Sequence, residues 1–219
     1  RGLVRSRGLG DVYKRQDPRP YPERIPYLGY VGMADYLCGK WMALRSLKEF
    51  KPTRAVIAEH EPGATYSVVR VQGITDAFKE MGVADVPLDR LDVTMDPAKM
   101  SEILKSYLLA HPDCNLAFSL GDVCIHPFLM TLREMGLAGK TFMSTVNVND
   151  EAIEAIKKGE MICAIGEQPF AVGFIPIVWM YLHLKIGYLP PDILPTGPAI
   201  VDKETLNIAL KQIEKAGSM

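Results

Sequence analysis

The sequence predicts an α/β protein: a parallel sheet covered by helices on both faces. Three observations carry this. Short apolar runs alternate with longer amphipathic stretches about five times between Ile25 and Ile165. The connections between them are too short to separate independent units. The composition, 48% hydrophobic and 23% charged over 219 residues, suits one sizeable core or two small lobes. Strands that alternate with helices in this way pair in parallel and bury both faces.

The elements follow in order. Tyr27–Val31 reads as a strand. Ala34–Glu49 reads as a helix, with Leu37, Trp41, Leu44 and Leu47 at helical spacing. Arg54–Glu59 is a compact β run. Tyr66–Met81 is helical, with Val69, Ile74, Ala77 and Phe78 on one face and Gly82 as terminator. Arg90–Thr94 is a weak strand, and Pro97–Ala110 a helix with proline in its first turn. Asn115–Leu120 and Thr141–Val146 read as strands around a helix over Val123–Met135. Asp150–Lys158 is a helix stopped by Gly159, and Met161–Ile165 a strand. Phe170–Ile186 is nearly all apolar. It is shorter than the ~20 residues a membrane span needs and holds Gly173, Pro176, His183 and Lys185, so it reads as a helix buried on most sides. A Pro-rich turn (Leu189–Pro195), an extended piece (Gly197–Asp202) and a helix from Lys203 complete the chain. The whole is a Rossmann-like arrangement. Ligands bind such sheets at the carboxyl ends of the strands. The positions there are Asp35, the Glu61–Tyr66 turn, Met95, Gly121–Asp122, Asn147–Asn149 and Glu167–Gln168.

Net charge is −1, so nothing electrostatic points to a nucleic-acid partner. Cys38, Cys114, Cys124 and Cys163 have no CxxC spacing. They read as buried free thiols, with a Cys114–Cys163 bridge left open. No cofactor or metal site is expected. Neighbours in Glu59-His60-Glu61 point in opposite directions at a strand end and rarely share one ion. His126 reads as a core or surface histidine. There is no GxSxG, HExxH, GxGxxG or GxxxxGK, and no marked nucleophile, so an enzyme is not expected.

Residues 1–16 stand apart. They have no period and carry five basic residues against one acid, Asp11. Asp11–Gln16 can be encoded by a transposon mosaic end used in sequencing adapters. The expectation is an adapter-derived or disordered tail, with the native chain starting near Asp17 and any signal peptide lost upstream. A genuine basic tail is the competing reading.

Several segments together resemble the periplasmic sugar-binding protein family of the ribose- and galactose-binding type. They are Tyr30-Val31-Gly32 with Asp35 and Gly39, Pro62-Gly63-Ala64 with Arg70 and Gly73-Ile74, and Ala117–Asp122. Asn149-Asp150 through Gln168-Pro169 and Thr196–Thr205 complete the set. None is specific alone; five in order at the right spacing are. The resemblance implies a type I periplasmic binding fold that binds a sugar or polyol between two lobes. It implies an extracytoplasmic component of an ABC-type uptake system, docking on a membrane permease. It places ligand contacts at Arg70, Asn147, Glu167, Met95 and Asp122, with Tyr66 beside them. Gly121 stands where the family usually has asparagine, which removes one hydroxyl contact. The implied domain map is 17–34 as linker and first inter-lobe crossing, and 35–166 as the C-terminal lobe. Residues 167–195 are then a remnant of the N-terminal lobe with a crossing, and 196–219 a return. The rest of the N-terminal lobe is expected to be missing, leaving Phe170, Phe174, Ile177, Val178 and Trp179 as an exposed apolar patch. The alternative is the effector-binding domain of a LacI-like transcriptional repressor. A sensor-kinase domain and a small hydrolase are further options.

Overall fold

The computed structural model describes residues 28–217; the tail at 1–16 and Tyr27 lie outside them. Eight strands and seven α-helices follow in chain order. The first half comprises β1 (Tyr30–Met33), α1 (Asp35–Glu49), β2 (Ala55–Glu59), α2 (Thr65–Glu80), β3 (Leu88–Asp92), α3 (Pro97–Ala110) and β4 (Leu116–Ser119). Then come α4 (Ile125–Glu134), β5 (Phe142–Val146), α5 (Asp150–Lys158), β6 (Met161–Gly166), α6 (Pro169–Ile186), β7 (Ile193–Gly197), β8 (Ala199–Val201) and α7 (Leu206–Ala216).

The main sheet has the order β3-β2-β4-β5-β6-β8, parallel except for the β6–β8 pair. Alternating side chains divide it between two cores, as the pleat requires. Ala55, Ile57, Leu116 and Phe118 face α1 and α2. Val56, Ala58, Ala117 and Ala164 face α3, α4, α5 and α7. Two helix starts, those of α3 and α5, are capped by side chains. Asp96 accepts from Ala98 and Lys99 N–H groups, and Asn149 from Ala152 N–H.

β1 and β7 form a separate two-stranded parallel sheet, with Tyr30 opposite Ile193. The prolines had made Leu189–Pro195 read as a turn only. A two-stranded sheet consists of edges, and an edge strand accepts the missing N–H of Pro195. The β3 strand starts two residues earlier than expected, at the solvent edge. The last helix starts later, at Leu206, because Asp202 ties up the N–H groups of Glu204 and Thr205 in a turn.

The expectation of a helix buried on most sides fails for α6: none of its residues is buried. Phe170, Phe174, Ile177, Tyr181 and Leu184 are all exposed and recur every three or four residues, a continuous apolar stripe. Val178 and Trp179 are half-buried. By length and composition α6 is the one helix among the described residues that could cross a membrane. The topology opposes that reading. Gly166 at the end of β6 pairs with Ala199 of β8, so the chain leaves and returns to one place. Its return path, Gly187–Gly197, holds Asp192 and three prolines.

Candidate functional site

The carboxyl ends of β2, β4, β5 and β6 surround a cavity of about 160 Å³. Its lining includes His60, Tyr66, Arg70, Asp122, Asn147 and Glu167. Arg70 is its centre. It lies in the second turn of α2, and only 4% of it is exposed. Its guanidinium donates to Asp35 Oδ1 from Nε at 2.8 Å and to the Leu120 carbonyl from Nη1 at 2.7 Å. Nη2 lies 2.7 Å from Asp35 and 3.6 Å from Glu167. Burial alone would lower the guanidinium's hold on its proton. The surrounding negative groups, Asp35 and Glu167 among them, outweigh that and raise it. The Tyr66 ring lies 4.9 Å from the guanidinium carbon, a cation–π contact.

Two glycines allow this geometry. A Cβ on Gly39 of α1 would lie 2.0 Å from the Arg70 carbonyl oxygen, and one on Gly73 of α2 would lie 2.2 Å from that of Tyr36. The helices therefore touch backbone to backbone, which brings Asp35, at the start of α1, within reach of Arg70.

Among the described residues, three non-glycine residues have positive φ: Thr94 (62°), Asn147 (76°) and Gln168 (60°). Each follows a strand, β3, β5 and β6 respectively, at the carboxyl edge of the sheet. Asparagine tolerates this region better than most residues. Strained backbone tends to collect where a site must be aimed.

Five of the six predicted contact residues, Arg70, Tyr66, Asp122, Asn147 and Glu167, line this one cavity. Met95 does not. It is 54% exposed, past the end of β3, the outermost strand, while the cavity sits over the middle of the sheet. Two residues of the site were not among the predicted contacts. Asp35 was noticed only as a strand-end position; its pairing with Arg70 depends on the Gly39–Gly73 approach. His60 stands in the sequence between Glu59 and Glu61, a spacing that points neighbouring side chains in opposite directions and gives no sign of which one faces a site. The three do diverge. Glu59 points inward to Ser67 and Arg90, Glu61 is exposed, and His60 faces the cavity. No metal-ligating cluster is found among the described residues.

His60 Nδ1 lies 3.8 Å from Cys124 Sγ, the spacing of a loose cysteine–histidine pair. Cys124 is fully buried, and burial pushes its thiol up to about 12, away from the reactive thiolate. All four cysteines are buried free thiols. A larger hollow of about 640 Å³ adjoins the site, lined by Tyr30, Met33, Asp35, Val69, Ile193 and Pro195 among others. Its walls are mainly apolar, and it lies where β1 and β7 meet α1.

A family model described as a periplasmic binding protein domain matches residues 20–188. The chain belongs to that family. A curated relative, the xylose/arabinose-binding protein of Sulfolobus acidocaldarius, is 26% identical over 165 residues, covering 73% of this chain. The chain spans only 40% of that relative's length. Among solved structures, a periplasmic ribose ABC transporter protein from Conexibacter woesei aligns with a TM-score of 0.79 at 18% identity. That alignment covers 89% of this chain and 66% of the other. A carbohydrate transporter protein from Acidothermus cellulolyticus, in complex with myo-inositol, gives 0.75 at 20% identity, covering 86% and 64%. At these identities the structural likeness establishes the periplasmic binding protein fold.

Proposed function

We propose that this periplasmic binding protein chain supplies one wall of the ligand cleft in the substrate-binding component of a bacterial ABC-type sugar uptake system. The observation that carries it is the cavity at the sheet's carboxyl edge, where a buried, charge-balanced Arg70 sits among Tyr66, Asp122, Asn147 and Glu167. Planar polar groups of this kind bind paired hydroxyls, and a ring beside them suits C–H faces. Because Arg70 is already shared between two carboxylates, the site favours a neutral sugar or polyol over an anionic one. The similar proteins are a xylose/arabinose-binding protein, a periplasmic ribose ABC transporter and a carbohydrate transporter in complex with myo-inositol, and their names support the same class. They favour transport over the repressor reading.

In this proposal residues 35–166 and 196–217 form one lobe. Residues 28–34 belong to the first crossing, and 167–195 belong with the opposite lobe, whose remainder covers the α6 stripe. The closed cleft docks on a membrane permease, outside the cytoplasm.

The test is sugar-dependent thermal stabilisation of the full-length gene product, with Asn147→Gly alongside wild type. The positive φ of Asn147 suits glycine, so the fold is kept while the amide is removed. The expected result is a melting temperature close to wild type without ligand and sugar affinity weakened about tenfold, the worth of one good hydrogen bond. Unchanged affinity removes Asn147 from the site. Absence of stabilisation by any pentose, hexose or inositol rejects the proposed function.

A further inference from the structure

His60 and Gly121 face each other across the cavity wall. A Cβ on Gly121 would sit 2.5 Å from His60 Cε1 and 3.0 Å from Nε2. The backbone at Gly121 is extended, with φ −173°, a conformation open to any residue. Glycine is therefore not required there by the backbone. It is required by the imidazole, which fills the space a side chain at 121 would take.

The ring is held on both sides. Tyr66 donates its hydroxyl hydrogen to Glu61, so its oxygen accepts from His60 Nε2–H at 3.1 Å. That leaves Nδ1 to accept from the Cys124 thiol. Burial lowers the proton affinity of His60, as does Arg70, while Glu61 and Asp122 work in the opposite direction; the net shift is downward. With both nitrogens engaged, the ring has carbon left to offer the cavity.

We infer that His60 is a specificity-determining residue of this wall: it takes the place of a side chain at 121 and presents ring carbon instead of a hydrogen-bonding group, so the bound sugar has a C–H or deoxy position there. This rests on the sugar-binding reading above.

The experiment combines a stability cycle with a binding panel in the full-length gene product. For the cycle, Gly121→Ala is made with and without His60→Ala, and thermal unfolding is measured. Gly121→Ala should lower the melting temperature when His60 is present and have little effect in the His60→Ala background. Equal effects in both backgrounds overturn the steric claim. For the panel, calorimetric titration uses D-ribose, D-galactose and the monodeoxy derivatives of each. At least one derivative should bind wild type within about twofold of its parent. In the His60→Ala/Gly121→Asn variant, whose amide can bond a hydroxyl, that derivative should bind about tenfold more weakly than its parent. If wild type binds a parent sugar but every derivative is weakened, and the double variant behaves the same way, the assignment alone falls. If wild type binds none of the panel, the sugar-binding reading falls and takes this assignment with it.

Discussion

Arg70 and the carboxylates of Asp35 and Glu167 are all buried, and the guanidinium is the cation they share. Replacing it with alanine withdraws that cation from two buried acids. The expected loss of stability for Arg70→Ala is about 3–5 kcal/mol by chemical denaturation, the usual effect of breaking a buried pair from one side. Loss of sugar binding in that variant would mix instability with a lost contact, which is why Asn147→Gly is the cleaner probe. Glu59 shows the same logic in a pH dependence. Burial pushes its carboxyl up, but hydrogen bonds from Arg90 and Ser67 outweigh burial and hold it below its ordinary 4.5. Its contribution to stability is therefore complete above pH 4.5 and is lost as pH falls from there through its depressed value. Glu59→Gln should lower stability near neutrality and flatten the acid limb of the stability–pH curve; an unchanged limb would remove Glu59 from acid unfolding. At this scale the strand ends and the turn after β2 pointed to Tyr66, Asp122, Asn147 and Glu167, which line the cavity. Met95 lies away from it, because strand order decides whether a loop reaches the centre. The sequence was silent on His60, because neighbours at a strand end show which way each points only once the sheet is built.

Among the elements, α1 and α2 set the site through a backbone contact. Gly39→Ala would press a methyl group against the Arg70 carbonyl. The helices would have to separate, loosening the Arg70–Asp35 bonds. The expected destabilisation is about 1–3 kcal/mol from overpacking, measurable as a fall in denaturation midpoint with the slope unchanged. A midpoint equal to wild type would mean the helices can yield freely. The main helices were readable because each has a 3.6-residue apolar stripe and a stop such as Gly159, whose φ of 75° suits glycine. Their close approach was not readable, since a glycine inside a helix resembles a weak helix former until its neighbour is known. α6 was readable as a helix, but its apolar composition and the resemblance pointed to opposite burials. An apolar surface on all sides resembles a core helix, whereas the resemblance implied an open patch; Phe170, Phe174 and Ile177 are exposed, and Val178 and Trp179 are half-buried. β7 was hidden by its prolines.

At the scale of the molecule, the six-stranded sheet with its two cores contrasts with the segment from α6 to β7. The first buries apolar side chains on both faces; the second buries none in α6 and is tied back through β1 and β8. Parallel pairing and helices on both faces followed from alternation alone, whereas the division between lobes came from resemblance, because the apolar run that begins at Phe170 reads equally well as a core helix. Amide hydrogen exchange by mass spectrometry tests that division. Local opening is easiest where few apolar contacts are buried. In the 219-residue chain, amides of residues 169–186 should exchange well before those of β2, β4 and β5. In a longer gene product that supplies the opposite lobe, the same amides should become protected, while protection in residues 55–166 stays nearly constant. If α6 exchanges equally fast in both, no opposite lobe covers the stripe, and the assignment of residues 167–195 to it fails. Added sugar separates coverage from closure. Coverage protects α6 without ligand, whereas closure should slow exchange chiefly at the cavity rim, around Gly121–Asp122 and Asn147, because those groups line the cavity.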